Sequence, residues 1–119
     1  MQYLLLIYDD EKKFGALSEA EQGRVFGEYM EFTREIVKSG NHRGGEALQP
    51  VAAATCVRHK NGKTLTTDGP YAETKEQLGG YYLVEARDLD EAVAIAGRIP
   101  SVRLGGTIEV RPIMPTPQP

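Results

Sequence analysis

The residues best suited to chemistry lie in one run, Thr67 to Glu76, which reads TDGPYAETKE. It gathers Asp68, Glu73, Lys75 and Glu76 around a Gly69-Pro70 turn that restricts the backbone. A carboxylate held by such a turn can act as a general base, and burial against Tyr71 or Tyr81 would raise its pKa toward neutrality. In that arrangement Gly69, Pro70, Tyr71 and Tyr81 would form the ligand-binding side, with Glu73 as a helper. A plainer reading has Asp68 accepting backbone N–H bonds and capping the turn, as aspartate before glycine commonly does. Residue chemistry leaves both open.

His42 is the second candidate. It titrates near neutral pH and could serve as an acid/base or a metal ligand. Its charge would also sit favourably beside the C-terminus of the helix that precedes it. His42, Asp68 and Glu73 are acceptable ligand types, but no local spacing brings them together, so no metal site is expected. No phosphate loop, dinucleotide fingerprint or zinc-type Cys/His pairing is present, and no cofactor is expected. Neither Ser39 nor Ser101 sits in a nucleophile context. Arg58, His59, Lys60 and Lys63 read as a solvated basic tip, and Cys56 as a core residue on a strand. The pairs Gly44-Gly45, Gly79-Gly80 and Gly105-Gly106 read as backbone punctuation.

These residues sit in a chain of 119, which implies one domain with a core of modest size. Fourteen basic against seventeen acidic residues give a net charge of −3. That balance supplies no electrostatic reason for nucleic acid or an anionic membrane as partner. The single cysteine excludes an internal disulfide and fits a reducing cytoplasm. The opening MQYLLLIYDDEKK has neither the basic start of a signal peptide nor the length of a membrane span.

The elements that must position the candidates follow from pattern. Gln2 to Tyr8 is an apolar run of strand length. Ser18 and Glu21 form a capping box, and apolar residues from Val25 to Val37 recur at helical spacing until Gly40. Asn41 to Ala54 reads as an irregular connection. Asn61-Gly62 between Thr55–His59 and Lys63–Thr67 signals a hairpin, and Ala72 to Leu78 is polar and mobile-looking. Gly80 to Ala86 is a strand, and Asp88 with Glu91 opens a second helix that Pro100 ends. A last strand, Thr107 to Ile113, has Ile108 and Val110 on its drier face. Residues 1–113 would be the domain and 114–119 a Pro-rich tail.

Strand, helix, hairpin, strand, helix, strand is the split βαβ order of a ferredoxin-like α+β fold with an extra central hairpin strand. Both helices should lie on one face of an antiparallel sheet. Yet Tyr3, Leu5 and Ile7 alternate with Leu4, Leu6 and Tyr8, so the first strand is apolar on both sides. Tyr81 to Val84 is similar. A homodimer with its sheets packed face to face would cover the second face. The alternative is that the tail or residues 41–54 fold over it within one chain.

The run DGPYAETKEQLGGYYLVEARDLDEA, with GGEALQP, IEVRP and the YLLLIYDDE opening, resembles the DGPF branch of the YCII-related family, with Tyr71 in place of phenylalanine. The resemblance covers nearly the whole chain and implies a dimeric α/β barrel. A His–Asp pair has been proposed as the active site in that family, and Asp68 matches its aspartate. Related folds include isomerases, dehydrochlorinases and monooxygenases acting on small molecules. The resemblance also implies a bacterial source and an association with extracytoplasmic-function sigma factors. Two functions follow as expectations. One is a small-molecule site near Asp68 to Tyr71 performing isomerisation or elimination, and the other is a non-catalytic regulatory module whose partner is a sigma factor.

Overall fold

A computed structural model describes residues 1–117. Gln118 and Pro119, the end of the expected tail, lie outside the described residues. The chain runs through β1 (Gln2–Asp9), α1 (Glu11–Gly15), α2 (Glu19–Lys38) and β2 (His42–Ala47) to a 3₁₀ turn (Val51–Ala53). Then come β3 (Thr55–Lys60), β4 (Lys63–Asp68), β5 (Gln77–Glu85), α3 (Leu89–Gly97), α4 (Pro100–Arg103) and β6 (Thr107–Pro112). Four strands form an antiparallel sheet in the order β2-β5-β1-β6, the split βαβ arrangement.

The caps behave as their side chains dictate. Ser18 Oγ accepts from Glu21 N at 3.1 Å and donates to the Glu21 carboxylate at 3.0 Å, closing the capping box of α2. Gly40 takes φ +84°, which lets the chain leave the helix and start β2. Asp88 accepts from Glu91 N at 2.9 Å to start α3.

One face of the sheet carries the core. Tyr3, Leu5 and Ile7 of β1 and Tyr82 and Val84 of β5 are buried against Phe32 and Ile36 of α2 and Ala92, Ile95 and Ala96 of α3. Phe32 meets Tyr82 edge-on with ring centroids 5.2 Å apart. Ile108 and Val110 of β6 pack onto the same cluster, while Thr107, Glu109 and Arg111 are exposed.

Three parts of the sequence reading need correction. The stretch 41–54, read as irregular, contains the edge strand β2. Glycine hides it from propensity, but the pairing needs glycine: a side chain on Gly45 would meet Tyr81 O at 2.8 Å and Tyr82 Cδ1 at 2.9 Å. The hairpin forms at Asn61-Gly62, both with positive φ, but β3 and β4 make a separate two-stranded sheet and join no strand of the main one. Pro100 does more than end a helix; it is the first residue of α4.

The second face follows from register. Leu4 lies opposite Leu83, Leu6 opposite Tyr81, and Tyr8 opposite Leu78. All six are half-buried, and Glu46, Glu109 and Arg111 stand exposed around them. Residues 42–47 belong to the sheet itself, Ile113 N donates to Gln2 O at 2.9 Å beside β1, and residues 114–117 are exposed.

Candidate functional site

Alternation on β1 carries the core-facing row from Tyr3, Leu5 and Ile7 to Asp9. A β-bulge at Gly79 shifts the neighbouring strand by one residue, so Gln77 rather than Leu78 lies opposite Asp9. The next two acids have structural tasks. Asp10 caps α1, accepting from Lys12 N at 3.0 Å. Glu11 donates its backbone N–H to Gln77 Oε1 and accepts from Val51 N with its carboxylate, each at 3.0 Å. That leaves Asp9 as the carboxyl aimed between sheet and helices.

Its partner comes from α4. Ser101 is buried and its hydroxyl donates to Asp9 Oδ2 at 3.0 Å. The Tyr29 hydroxyl on α2 is bonded to the same Ser101 oxygen. A serine hydroxyl has one proton. Since Ser101 gives it to Asp9, Tyr29 must be the donor to Ser101, and the chain Tyr29 to Ser101 to Asp9 has a defined direction. Burial pushes the Tyr29 phenol up to about 12, so it remains a neutral donor.

Asp9 is raised above the usual carboxylate value, chiefly by desolvation; the Ser101 bond lowers it, and the Glu76 charge raises it again. Glu76 is itself placed by Thr107, whose hydroxyl donates to both its oxygens at 3.1 and 3.2 Å. Among the described residues no Lys or Arg pairs with Asp9. Its second oxygen, Oδ1, accepts no hydrogen bond among the described residues. Because no fully buried side-chain oxygen or nitrogen among them lacks a partner, Oδ1 keeps some access to solvent. It lies over Gly106, where a Cβ would collide with it and stand 2.9 Å from Tyr8 O. Gly106 is therefore the residue that makes room for the carboxyl. A half-buried carboxyl with one oxygen held by a donor chain and the other open is equipped for proton transfer.

The residues singled out by sequence lie elsewhere. Asp68 ends β4 opposite Thr55, on the separate hairpin, and is exposed. Tyr71 is 80% exposed, with the Arg58 guanidinium 5.1 Å above its ring. Tyr81 lies on the open face of the main sheet, so neither tyrosine buries Asp68. Gly69 takes φ +91°; its N–H donates to Ala54 O at 2.7 Å and its carbonyl accepts from Cys56 Sγ at 3.1 Å. Pro70 follows it, half-buried. Glu73 is exposed in the following loop. His42 starts β2, its ring 6.3 Å from that of Tyr82. No hydrogen bond or ion pair joins Asp68, His42 and Glu73 among the described residues, and no group of three metal-ligating side chains occurs among them.

The acidic run thus reaches the Asp9 cluster through its far end. Thr74 donates to Glu76 O, the Gln77 amide donates to Thr74 O at 2.5 Å, and the Glu76 charge acts on Asp9. Sequence links neither Ser101 nor Tyr29 to Asp9, because neither stands near it in the chain. Alternation puts Asp9 in the row of Tyr3, Leu5 and Ile7, but both rows of β1 are apolar, so the pattern does not say which one faces the helices.

A family model for the YCII-related domain matches residues 1–117. An uncharacterized protein of Rhizobium meliloti (strain 1021) is 40% identical over 114 residues, which span 95% of this chain and 92% of the relative.

Proposed function

The chain belongs to the YCII-related domain family, and on that footing we propose that it is a small-molecule protein of the DGPF branch, acting as a homodimer in the cytoplasm. Its reaction is proton transfer, an isomerisation or elimination, with Asp9 as the acid/base. The observation that carries this reading is the Asp9 carboxyl, raised by desolvation, unpaired with any cation among the described residues and solvent-accessible at Oδ1. Buried or half-buried acids without a counter-charge cost stability and are kept where chemistry needs them. Ser101 and Tyr29 orient the carboxyl and stabilise its ionised form. Proton transfers of this kind require only such groups.

Support for the dimer comes from the second sheet face, where Leu4, Leu6, Tyr8, Leu78, Tyr81 and Leu83 form an apolar centre inside a charged rim. No helix among the described residues is long and apolar enough to cross a membrane.

Thermal unfolding of wild type, Asp9→Asn and Asp68→Asn against small phenols, lactones and aromatic acids tests the assignment. A ligand at about a hundred times its dissociation constant adds about 2.7 kcal/mol to the native state. That gain should appear in wild type and Asp68→Asn and vanish in a folded Asp9→Asn. The reverse pattern moves the site to the Asp68–Tyr71 turn. No gain in any of the three removes the small-molecule reading, and recovery of a sigma factor from a source lysate would then favour the regulatory one.

A further inference from the structure

The β3–β4 hairpin is the part of the chain that the fold leaves without support. Its strands pair only with each other, and every residue of both except Cys56 is exposed. An isolated two-stranded hairpin is marginal in water. Val57 and Leu65 nevertheless stand 64% and 45% exposed on its opposite faces.

The hairpin does not fold back over its own sheet. The molecule measures 49 × 45 × 18 Å, so its thinnest dimension holds little more than one sheet and one helix layer. Its radius of gyration is 16.4 Å, against about 13.5 Å for a compact chain of this length. The arm extends outward from the end of the sheet where β2 leads out and β5 leads back.

Charge indicates what the arm meets. Lys60 and Lys63 form the last pair at its end beside His59, with Arg58 two rungs back over the Tyr71 ring, in a chain whose net charge is −3. None of Arg58, Lys60 and Lys63 is in an ion pair among the described residues. On the second sheet face, Glu46 lies opposite Tyr81 and Glu109 opposite Leu6. One row across the sheet therefore reads Glu46, Tyr81, Leu6, Glu109, an apolar middle between two carboxylates that are exposed and unpaired among the described residues, with Arg111 two residues along the Glu109 edge.

We infer that the β3–β4 hairpin of one copy clasps a second copy of this chain, its basic end lying on one acidic edge of the partner's sheet, at Glu46 or at Glu109. This rests on the homodimer reading and adds to it a specific contact. The clasp covers Val57 or Leu65, gives the hairpin a surface to fold against, and fixes the register of two sheets whose apolar centres would otherwise slide.

Hydrogen exchange and sedimentation of the full chain test it. Above the dimer's dissociation constant the amides of residues 55–68 should be protected, and on dilution below it they should exchange freely. Lys60→Glu with Lys63→Glu should weaken the dimer by about tenfold or more, by placing like charges together. Adding Glu46→Lys and Glu109→Lys to those reversals should restore it. A dimer of unchanged affinity in the lysine variants, with hairpin amides exchanging freely in it, overturns the clasp and leaves the dimer standing. A chain that stays monomeric at all concentrations overturns both. Protection of the hairpin in the monomer also overturns the clasp, because the arm then needs no partner.

Discussion

Ser101 Oγ donates to Asp9 Oδ2 at 3.0 Å across 92 residues of sequence. That bond ties the end of the central strand to α4, and through the Tyr29 hydroxyl it reaches α2 as well. Three elements thus hold one carboxyl, and the hydroxyls that orient it are the same groups that stabilise its charge.

Ser101→Ala removes the middle of this chain. It leaves the Tyr29 hydroxyl without its acceptor in a largely buried place and Asp9 without its donor. The expected cost is about 1–3 kcal/mol in urea unfolding. The Asp9 carboxyl should also titrate higher by NMR, because the lost bond favoured the ionised form. An Asp9 pKa that stays put in a folded variant would contradict the relay.

Asp9 makes stability depend on pH with a definite sign. Its folded pKa lies above the ordinary value of 3.8, so the folded state holds the proton more tightly than the unfolded state. Its contribution is therefore most favourable below that ordinary value and declines as pH rises through the folded pKa. Asp9→Asn, which keeps an acceptor for Ser101, should be more stable than wild type at neutral pH, and the advantage should shrink in acid. A variant less stable than wild type at pH 7 would show that Asp9 is a structural acceptor first.

Gly106→Ala tests the space around the carboxyl. The new methyl would press on Asp9 Oδ1, Tyr8 O and Ser101 Cβ, the last at 3.1 Å. Two of these cannot swing away. A loss of about 1–3 kcal/mol is expected, together with weaker binding of any ligand that needs Asp9. Wild-type stability in this variant would mean that the loop before β6 yields freely.

The two faces of the main sheet should respond differently. Leu5 is fully buried beneath the helices, and Leu5→Ala should cost about 2–5 kcal/mol whatever the protein concentration. Leu83→Glu, on the other face, should instead yield a folded monomer by sedimentation, its core side untouched. A dimer that survives a charge at Leu83 would rule out pairing through this face.

Much of the architecture was legible locally. The capping boxes at Ser18 and Asp88, the turn at Asn61-Gly62 and the two-faced alternation of β1 all report on residues a few positions apart, where steric and hydrogen-bonding preferences act directly. The edge strand β2 was not legible, since Arg43, Gly44 and Gly45 have little strand preference. It exists because β5 offers a partner and glycine lets the backbones approach. The short helix α1 depends in the same way on Asp10 as a cap.

The candidate site divides along the same line. Sequence alone determined the fold class, the acidic TDGPYAETKE run and the two apolar rows of β1, because each is set by composition or by a period of a few residues. Only the tertiary structure decided which carboxyl is desolvated. It set Asp68 and Tyr71 on an outlying hairpin, brought Glu76 to Asp9, and laid Tyr29 and Ser101 against it. Desolvation and hydrogen bonding depend on which distant segments pack around a group, and that is settled by closing the sheet and its helices over one core.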